Sequence, residues 1–220
     1  MFDKSKNNKE QQKQAAAMRA MSYIKADMVV GIGTGTTAEY FIKALGASGI
    51  KLEAVVASSV ASEKLLKAYN LPLAELNQQT HVDIYVDGAD ECTEMRYLIK
   101  GGGGALVREK IIATFARQFI CIADESKLVG SLGRFPLPVE VLPMARSVVA
   151  KQLIRLGGEP IYRDGYITDN GNIILDVRGL NITKPIALEE SINNIPGVIG
   201  NGIFALRPAD MILFGEDKYL

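Results

Sequence analysis

The sequence predicts an α/β protein: a Rossmann-like parallel-sheet domain with a second, smaller α+β domain. Three observations carry this. Short stretches that are apolar at nearly every position (residues 28–33, 52–57, 84–86 and 119–123) alternate with helical segments. That is the pattern of parallel strands buried on both faces. After about residue 130 the character changes, with prolines punctuating residues 135–143 and alternating apolar positions around Asn170-Gly171. Finally, residues 209–215 return to an apolar run, a closing strand for the first sheet. The expected domains are therefore 1–130 plus 204–220, Rossmann-like and catalytic, and 131–203, small and α+β.

Taken in order, residues 10–26 read as an amphipathic helix rich in Ala, Gln and Met. A strand over 28–33 meets the turn Gly33-Thr34-Gly35-Thr36-Thr37, and a helix follows over 38–45. A second strand (52–57) and helix (62–69) come next. The strand at 84–86 runs into Asp87-Gly88-Ala89-Asp90-Glu91. A short extended piece at 97–100 leads through Gly101-Gly102-Gly103-Gly104 into a helix over 105–117, and a buried strand at 119–123 ends in Asp124. In the second domain a helix covers 147–156. Residues 166–176 form a hairpin about the Asn-Gly turn, and a further helix lies near 187–195.

Composition narrows the function. The chain has 220 residues, 48% hydrophobic, with 25 basic and 25 acidic side chains. A zero formal charge supplies no field to attract nucleic acid or an anionic membrane. No apolar run approaches the roughly 18 residues of a span, and the polar N-terminus has no apolar core of a secretory signal. Cys92 and Cys121 fit no metal spacing and read as thiols of a reducing, cytoplasmic compartment. The single histidine, His81, precedes a strand, where a capping or surface role is expected.

Four segments carry chemistry. Glycines and hydroxyls between a strand and a helix N-terminus can cradle an anion, which marks Thr34, Gly35, Thr36 and Thr37. Gly33-x-Gly35-x-x-Ala38 loosely matches a dinucleotide fingerprint. The second strand, however, ends in Ala57-Ser58-Ser59 without the ribose-binding acid, so NAD is a weak reading. Asp87 and Asp90, separated by the small Gly88 and Ala89, stand at the carboxyl end of a strand, where α/β sheets bind ligands. The alternatives there are a solvated turn or a Mg²⁺ site, the metal ranking last. Lys100 and Gly101, Gly102 and Gly103 suit a backbone that approaches a ligand. Glu109, early in the next helix, is read evenly as a general base or as a surface residue complementing the helix dipole. Lys127 follows the strand ending at Asp124 and can place a positive charge at the same crevice.

In this order, Gly31-Ile32-Gly33-Thr34-Gly35-Thr36-Thr37, Asp87-Gly88-Ala89-Asp90-Glu91, Lys100-Gly101-Gly102-Gly103, Arg108-Glu109-Lys110 and Ala123-Asp124-Glu125-Ser126-Lys127 resemble the ribose-5-phosphate isomerases of the A type. Leu137-Pro138-Val139-Glu140-Val141, Thr168-Asp169-Asn170-Gly171-Asn172 and Ile195-Pro196-Gly197-Val198 resemble that family's second domain. The resemblance spans essentially the whole chain. It implies interconversion of ribose 5-phosphate and ribulose 5-phosphate in the non-oxidative pentose phosphate pathway, with no metal or organic cofactor. By resemblance, Glu109 is the base, and Asp87, Asp90 and Lys100 line the reacting end. Thr34, Gly35, Thr36, Thr37 and Lys127 belong to the substrate site, and Lys13 is a weaker candidate for the phosphate. The chain departs from the family at Gly104, where alanine is expected, at Val60, where a polar residue is expected, and at Leu206. None of these removes a charged group. The resemblance implies a homodimer, with a tetramer as the alternative. An amino-sugar phosphate deaminase and a sugar-phosphate sensor are the competing readings. Asp87-Gly88-Ala89-Asp90 with the glycine run speaks against the first. The presence of Glu109, and the lack of room for a DNA-binding module before the first strand, speak against the second.

Overall fold

The computed structural model describes residues 4–215 and 219–220. Residues 1–3 and 216–218, which the expected first domain included, lie outside the described residues. Helix α1 (Lys4–Ala20) continues into a 3₁₀ turn (Met21–Tyr23), so it begins and ends earlier than the 10–26 expected. The next elements are β1 (Val29–Ile32), α2 (Thr36–Ser48), β2 (Ala54–Ala57), α3 (Val60–Ala68) and β3 (Val82–Asp87). Two short strands follow, β4 (Glu91–Cys92) and β5 (Leu98–Ile99), then α4 (Leu106–Phe115), which passes directly into β6 (Ala116–Ile122).

The second region contains β7 (Leu137–Val141), α5 (Arg146–Arg155), β8 (Glu159–Tyr162), β9 (Ile173–Arg178), α6 (Pro185–Asn193) and β10 (Val198–Asn201). The chain then re-enters the first region through β11 (Ile203–Phe204) and β12 (Met211–Leu213).

Five parallel strands form one sheet in the order β12-β6-β3-β1-β2. Because side chains alternate across a strand, the all-apolar strands feed two cores. Val30, Ile32, Ile84, Val86, Ile120 and Ile122 face α1 and α2, where they meet Ala16, Ala17, Phe41 and Ile42. Val29, Tyr85, Phe119, Cys121 and Ile212 face the side covered by α4. Burying a large side chain of this kind contributes about 1.5–3 kcal/mol, so each strand is stabilised from both sides. The antiparallel second sheet, β10-β7-β9-β8, packs on α5 and α6 about a third core containing Val139, Val149, Leu153, Leu175 and Ile192. A small sheet, β11-β5-β4, bridges toward it.

The proline-punctuated segment 135–143 contains the strand β7, which pairs with both β9 and β10. Pro138 stands just past the β10 ladder, which reaches only Val139, and on that flank it needs to supply no donor: its O accepts from Gly202 N–H at 2.8 Å. The hairpin is present, but its first arm is β8, with Tyr162 opposite Leu175, and not residues 166–168. Residues 163–172 form a long tip instead, closed by Thr168 N–H to Asn172 O at 2.9 Å.

Candidate active site

From β1 the chain moves to β2 on one side, and β3 then pairs on the other. Diverging connections at such a point leave a crevice beyond the carboxyl ends of the two strands. A cleft of about 140 Å³ lies there. A larger concavity of about 820 Å³, lined by Val107, Ile111, Phe115 and Ile199, is mainly apolar and contains no carboxylate. Chemistry therefore belongs to the smaller cleft.

One wall is the β1–α2 turn. Gly35 has φ 101°, a left-handed value open to glycine, and it precedes α2 without any side-chain cap. The first N–H groups of α2 are thus available to an anion. Thr36 and Thr37 line the cleft beside them. Lys13 reaches in from α1 and donates to Thr36 Oγ1 at 3.2 Å while pairing with Glu10 at 2.7 Å. Lys127 lines the same cleft from a 3₁₀ turn whose cap, Asp124, accepts from Ser126 N–H. Thr34 lines it too, but its hydroxyl turns away to Ser58, Ser59 and Ser62 at 2.7–3.2 Å. Thr34 therefore offers the cleft no free hydroxyl.

The opposite wall is the glycine run. Gly101, Gly102 and Gly103 line the cleft, as do Gly88 and Ala89. Asp90 is half-buried there and accepts from Gly102 N–H at 2.8 Å. A Cβ at Gly102 would fall 2.7 Å from that carboxylate, so the close approach requires glycine.

At the floor three charged groups meet. Lys100 is 2.6 Å from Asp87 Oδ2 and 3.2 Å from Glu109 Oε2, and it donates to Gly88 O at 2.6 Å. Lys100 at 3.2 Å is the sole charged partner of Glu109 Oε2 among the described residues, and that oxygen makes no other hydrogen bond there. Glu109 is 4% exposed, which excludes the surface reading. Burial, then the charge of Asp87, push its pKa up to about 8 against the pull of Lys100. Burial opposes the charge on Lys100, but Asp87 and Glu109 outweigh it and hold its pKa above the ordinary value. One ammonium thus faces two carboxylates. The nearer is Asp87, and the farther, Glu109, is left with a near-neutral pKa.

Of the residues predicted for the site, Asp87 alone does not line the cleft. It is fully buried behind it. Oδ1 accepts from Thr34 N–H at 3.1 Å and Gly88 N–H at 2.7 Å, while Oδ2 accepts from Tyr85 Oη and faces Lys100. All its acceptor positions are occupied, so it orients Lys100 and has no oxygen to spare for a ligand. A Cβ at Gly33 would lie 1.8 Å from Oδ1, which is the reason for glycine there. Sequence reasoning overlooked Tyr85. The signal was its i, i+2 relation to Asp87, which puts both on one face of β3. The serine cluster behind Thr34 left no comparable pattern.

Comparison with known proteins now adds a family. Residues 54–219 match the family model described as ribose 5-phosphate isomerase A (phosphoriboisomerase A). A ribose-5-phosphate isomerase A of Legionella pneumophila (strain Lens) is 60% identical over 198 residues, 90% of this chain and 92% of that one. A crystal structure of ribose 5-phosphate isomerase A from Neisseria gonorrhoeae superposes with a TM-score of 0.95 at 46% identity, covering 96% of each chain. A D-ribose-5-phosphate isomerase solved in complex with phospho-erythronic acid gives 0.92 at 40% identity, covering 96% of this chain and 98% of that one.

Proposed function

This chain belongs to the ribose 5-phosphate isomerase A family, and we propose that it interconverts ribose 5-phosphate and ribulose 5-phosphate by metal-independent proton transfer through an enediolate, with Glu109 as the base. As an aldose–ketose isomerase it serves the non-oxidative pentose phosphate pathway. The observation that carries the mechanism is Glu109 itself: buried at the cleft floor, its Oε2 facing only Lys100 at 3.2 Å, its pKa raised to about 8.

The phosphate sits against Gly35, Thr36, Thr37, Lys13 and Lys127, where helix N–H groups, hydroxyls and two ammonium groups supply donors. The sugar then extends toward Asp90, Lys100 and Glu109. Asp90 exchanges a proton with the ring oxygens during opening. Glu109 carries a proton between C1 and C2. Lys100, fixed by Asp87, places positive charge beside the developing oxyanion, joined by the amides of Gly101, Gly102 and Gly103. General acid–base transfer supplies roughly 10²–10⁴-fold, and the preorganised donors supply much of the rest. Phospho-erythronic acid, which occupies a relative, supports this reading, because its carboxylate places two oxygens on one carbon beside a phosphorylated sugar chain.

The test is turnover of ribose 5-phosphate in deuterated water, with and without EDTA. Deuterium at C1 or C2 with EDTA-resistant turnover is expected. Glu109→Gln should fold and bind substrate with turnover lowered by about 10²-fold or more; a variant near the parent rate would remove Glu109 from this role.

For the domain boundaries we propose 1–130 with 204–220 and 131–203, a division supported by the return of β11 and β12 to the first region. We place the protein in the cytoplasm, a reading supported by two buried thiols without a disulfide, and no helix among the described residues is long and apolar enough to cross a membrane. For assembly we propose a homodimer, with light scattering as the measurement and a monomeric mass as the result against it.

A further inference from the structure

A buried acid in the second sheet has no part in the reaction just described. Glu140, in β7, is fully buried. Its Oε1 accepts three hydrogen bonds, from Thr168 Oγ1 at 3.0 Å, Asn170 Nδ2 at 3.0 Å and Asn172 Nδ2 at 2.8 Å. Its Oε2 has no donor among the described residues. Burying a carboxylate is costly unless it is well bonded, and here every bond goes to one turn. Glu140 thus gives that turn a single shape.

The turn reaches out of the second sheet onto the first. Asp169 Oδ2 accepts from Val60 N–H at 2.8 Å, at the start of α3. Arg108 donates to Asn170 Oδ1 at 2.8 Å and to Asp169 O at 2.7 Å. Arg108 is the residue before Glu109 in the first turn of α4. The same hairpin tip also holds the glycine wall: Tyr166 Oη donates to Gly103 O at 2.9 Å, and Arg163, paired with Asp176, donates to Gly102 O at 3.1 Å. On the other side of Glu109, Lys110 donates to Glu189 and to Ile203 O. The helix turn that carries Glu109 is therefore tied to the second domain on both sides.

We infer that Glu140 is a positioning residue for the isomerisation: by ordering the turn 168–172 it holds Arg108, and so fixes Glu109, the next residue of α4, against the reacting carbons. This rests on the reading of Glu109 as the base. A displacement of about 1 Å at a reacting group can cost on the order of 10²-fold in rate, whereas the phosphate end of the cleft is built from α1, α2 and the β6 end, which the turn does not touch.

The experiment is steady-state kinetics with ribose 5-phosphate on purified Glu140→Ala, Glu140→Gln and Asn170→Ala, beside the parent and Glu109→Gln, with thermal melts of each. Asn170 is at the exposed tip and joins Glu140 to Arg108, so its alanine variant is expected to fold and to lose about tenfold in kcat with KM within about twofold. Glu140→Ala is expected to lose on the order of 10²-fold in kcat, again with little change in KM. Glu140→Gln should recover most of that, since an amide oxygen accepts the same three bonds. If Glu140→Ala does not fold, Asn170→Ala decides. Parent kcat in the folded hairpin variants, or a loss confined to KM, overturns the proposal. Near-parent activity in Glu109→Gln overturns the base assignment instead, and is read from a different protein.

Discussion

Asp87 and Glu109 are both buried carboxylates within reach of one lysine, and the hydrogen bonds around them decide what each does. Asp87 accepts from two backbone N–H groups and from Tyr85 Oη, and keeps Lys100 at 2.6 Å. Glu109 Oε2 faces Lys100 alone, at 3.2 Å, and Glu109 has a cleft in front of it. A saturated carboxylate orients, and an unsaturated one can take a proton. Tyr85 then matters although it never meets substrate. Its hydroxyl is fully buried, and burial followed by the charge of Asp87 holds its pKa well above the phenol range, so it remains a donor. Tyr85→Phe removes one hydrogen bond to a buried charge, worth about 1.5–3 kcal/mol. We expect lower stability by that order, and a fall in kcat with KM nearly unchanged, because the hydroxyl lies behind Lys100 and away from the phosphate end. Denaturant melts and Michaelis kinetics on the same preparation check both. A destabilised variant with parent kcat would show that Lys100 is held without Tyr85.

At the scale of elements, the glycine run both lines the cleft and meets the β8–β9 tip, through Tyr166 and Arg163. Gly104 has φ +82°, and a Cβ there would fall 2.0 Å from Tyr166 Oη. Glycine at 104, where the family pattern suggests alanine, thus goes with the tyrosine that leans over it and bonds to Gly103 O. Gly104→Ala should cost about 1–2 kcal/mol for the left-handed backbone and more for moving the ring. In a Tyr166→Ala background only the backbone cost should remain. Equal Tm changes in the two backgrounds would show that the ring is not the constraint. These elements also mark how much was readable from sequence. The strand–turn–helix at Gly33–Thr37, the aspartates after β3 and the glycines before α4 announce themselves through local chemistry, and the structure brings them to one crevice. The inward turn of Asp87 was not legible, because it depends on Tyr85 and Gly33 together. The strand β7 accommodates Pro138 at the end of the β10 ladder, where its O accepts from Gly202 N–H. The first arm of the hairpin was displaced to β8 by a tip whose shape is set from outside by Glu140.

For the whole molecule, the site and the fold draw on the same free energy. Glu109 has an ordinary pKa of 4.5, and the folded protein raises it to about 8. Between those values the native state binds a proton that the unfolded chain has released, so stability must fall as pH rises through that window. Each unit of separation is worth about 1.4 kcal/mol, so holding the Glu109 carboxyl at a near-neutral pKa costs the fold a few kcal/mol above that range. Lys100 acts in another range. Its raised pKa contributes stability that is present below its ordinary value of 10.5 and is lost only at more alkaline pH. Comparison with Glu109→Gln tests this group, since Lys100 and Tyr85, which also feel the charge of Glu109, are held above their ordinary values and titrate at more alkaline pH. At pH 5, where Glu109 is protonated in the folded state, the two should be of similar stability. From there to about pH 8 the parent should lose ground steadily to the glutamine variant, while kcat/KM of the parent rises as the carboxylate forms. Chemical denaturation at pH 5, 6, 7 and 8 measures the difference. A gap that stays constant with pH would mean that Glu109 titrates in the folded protein as it does in the unfolded chain, and the proton would have to be carried by another group of the cleft.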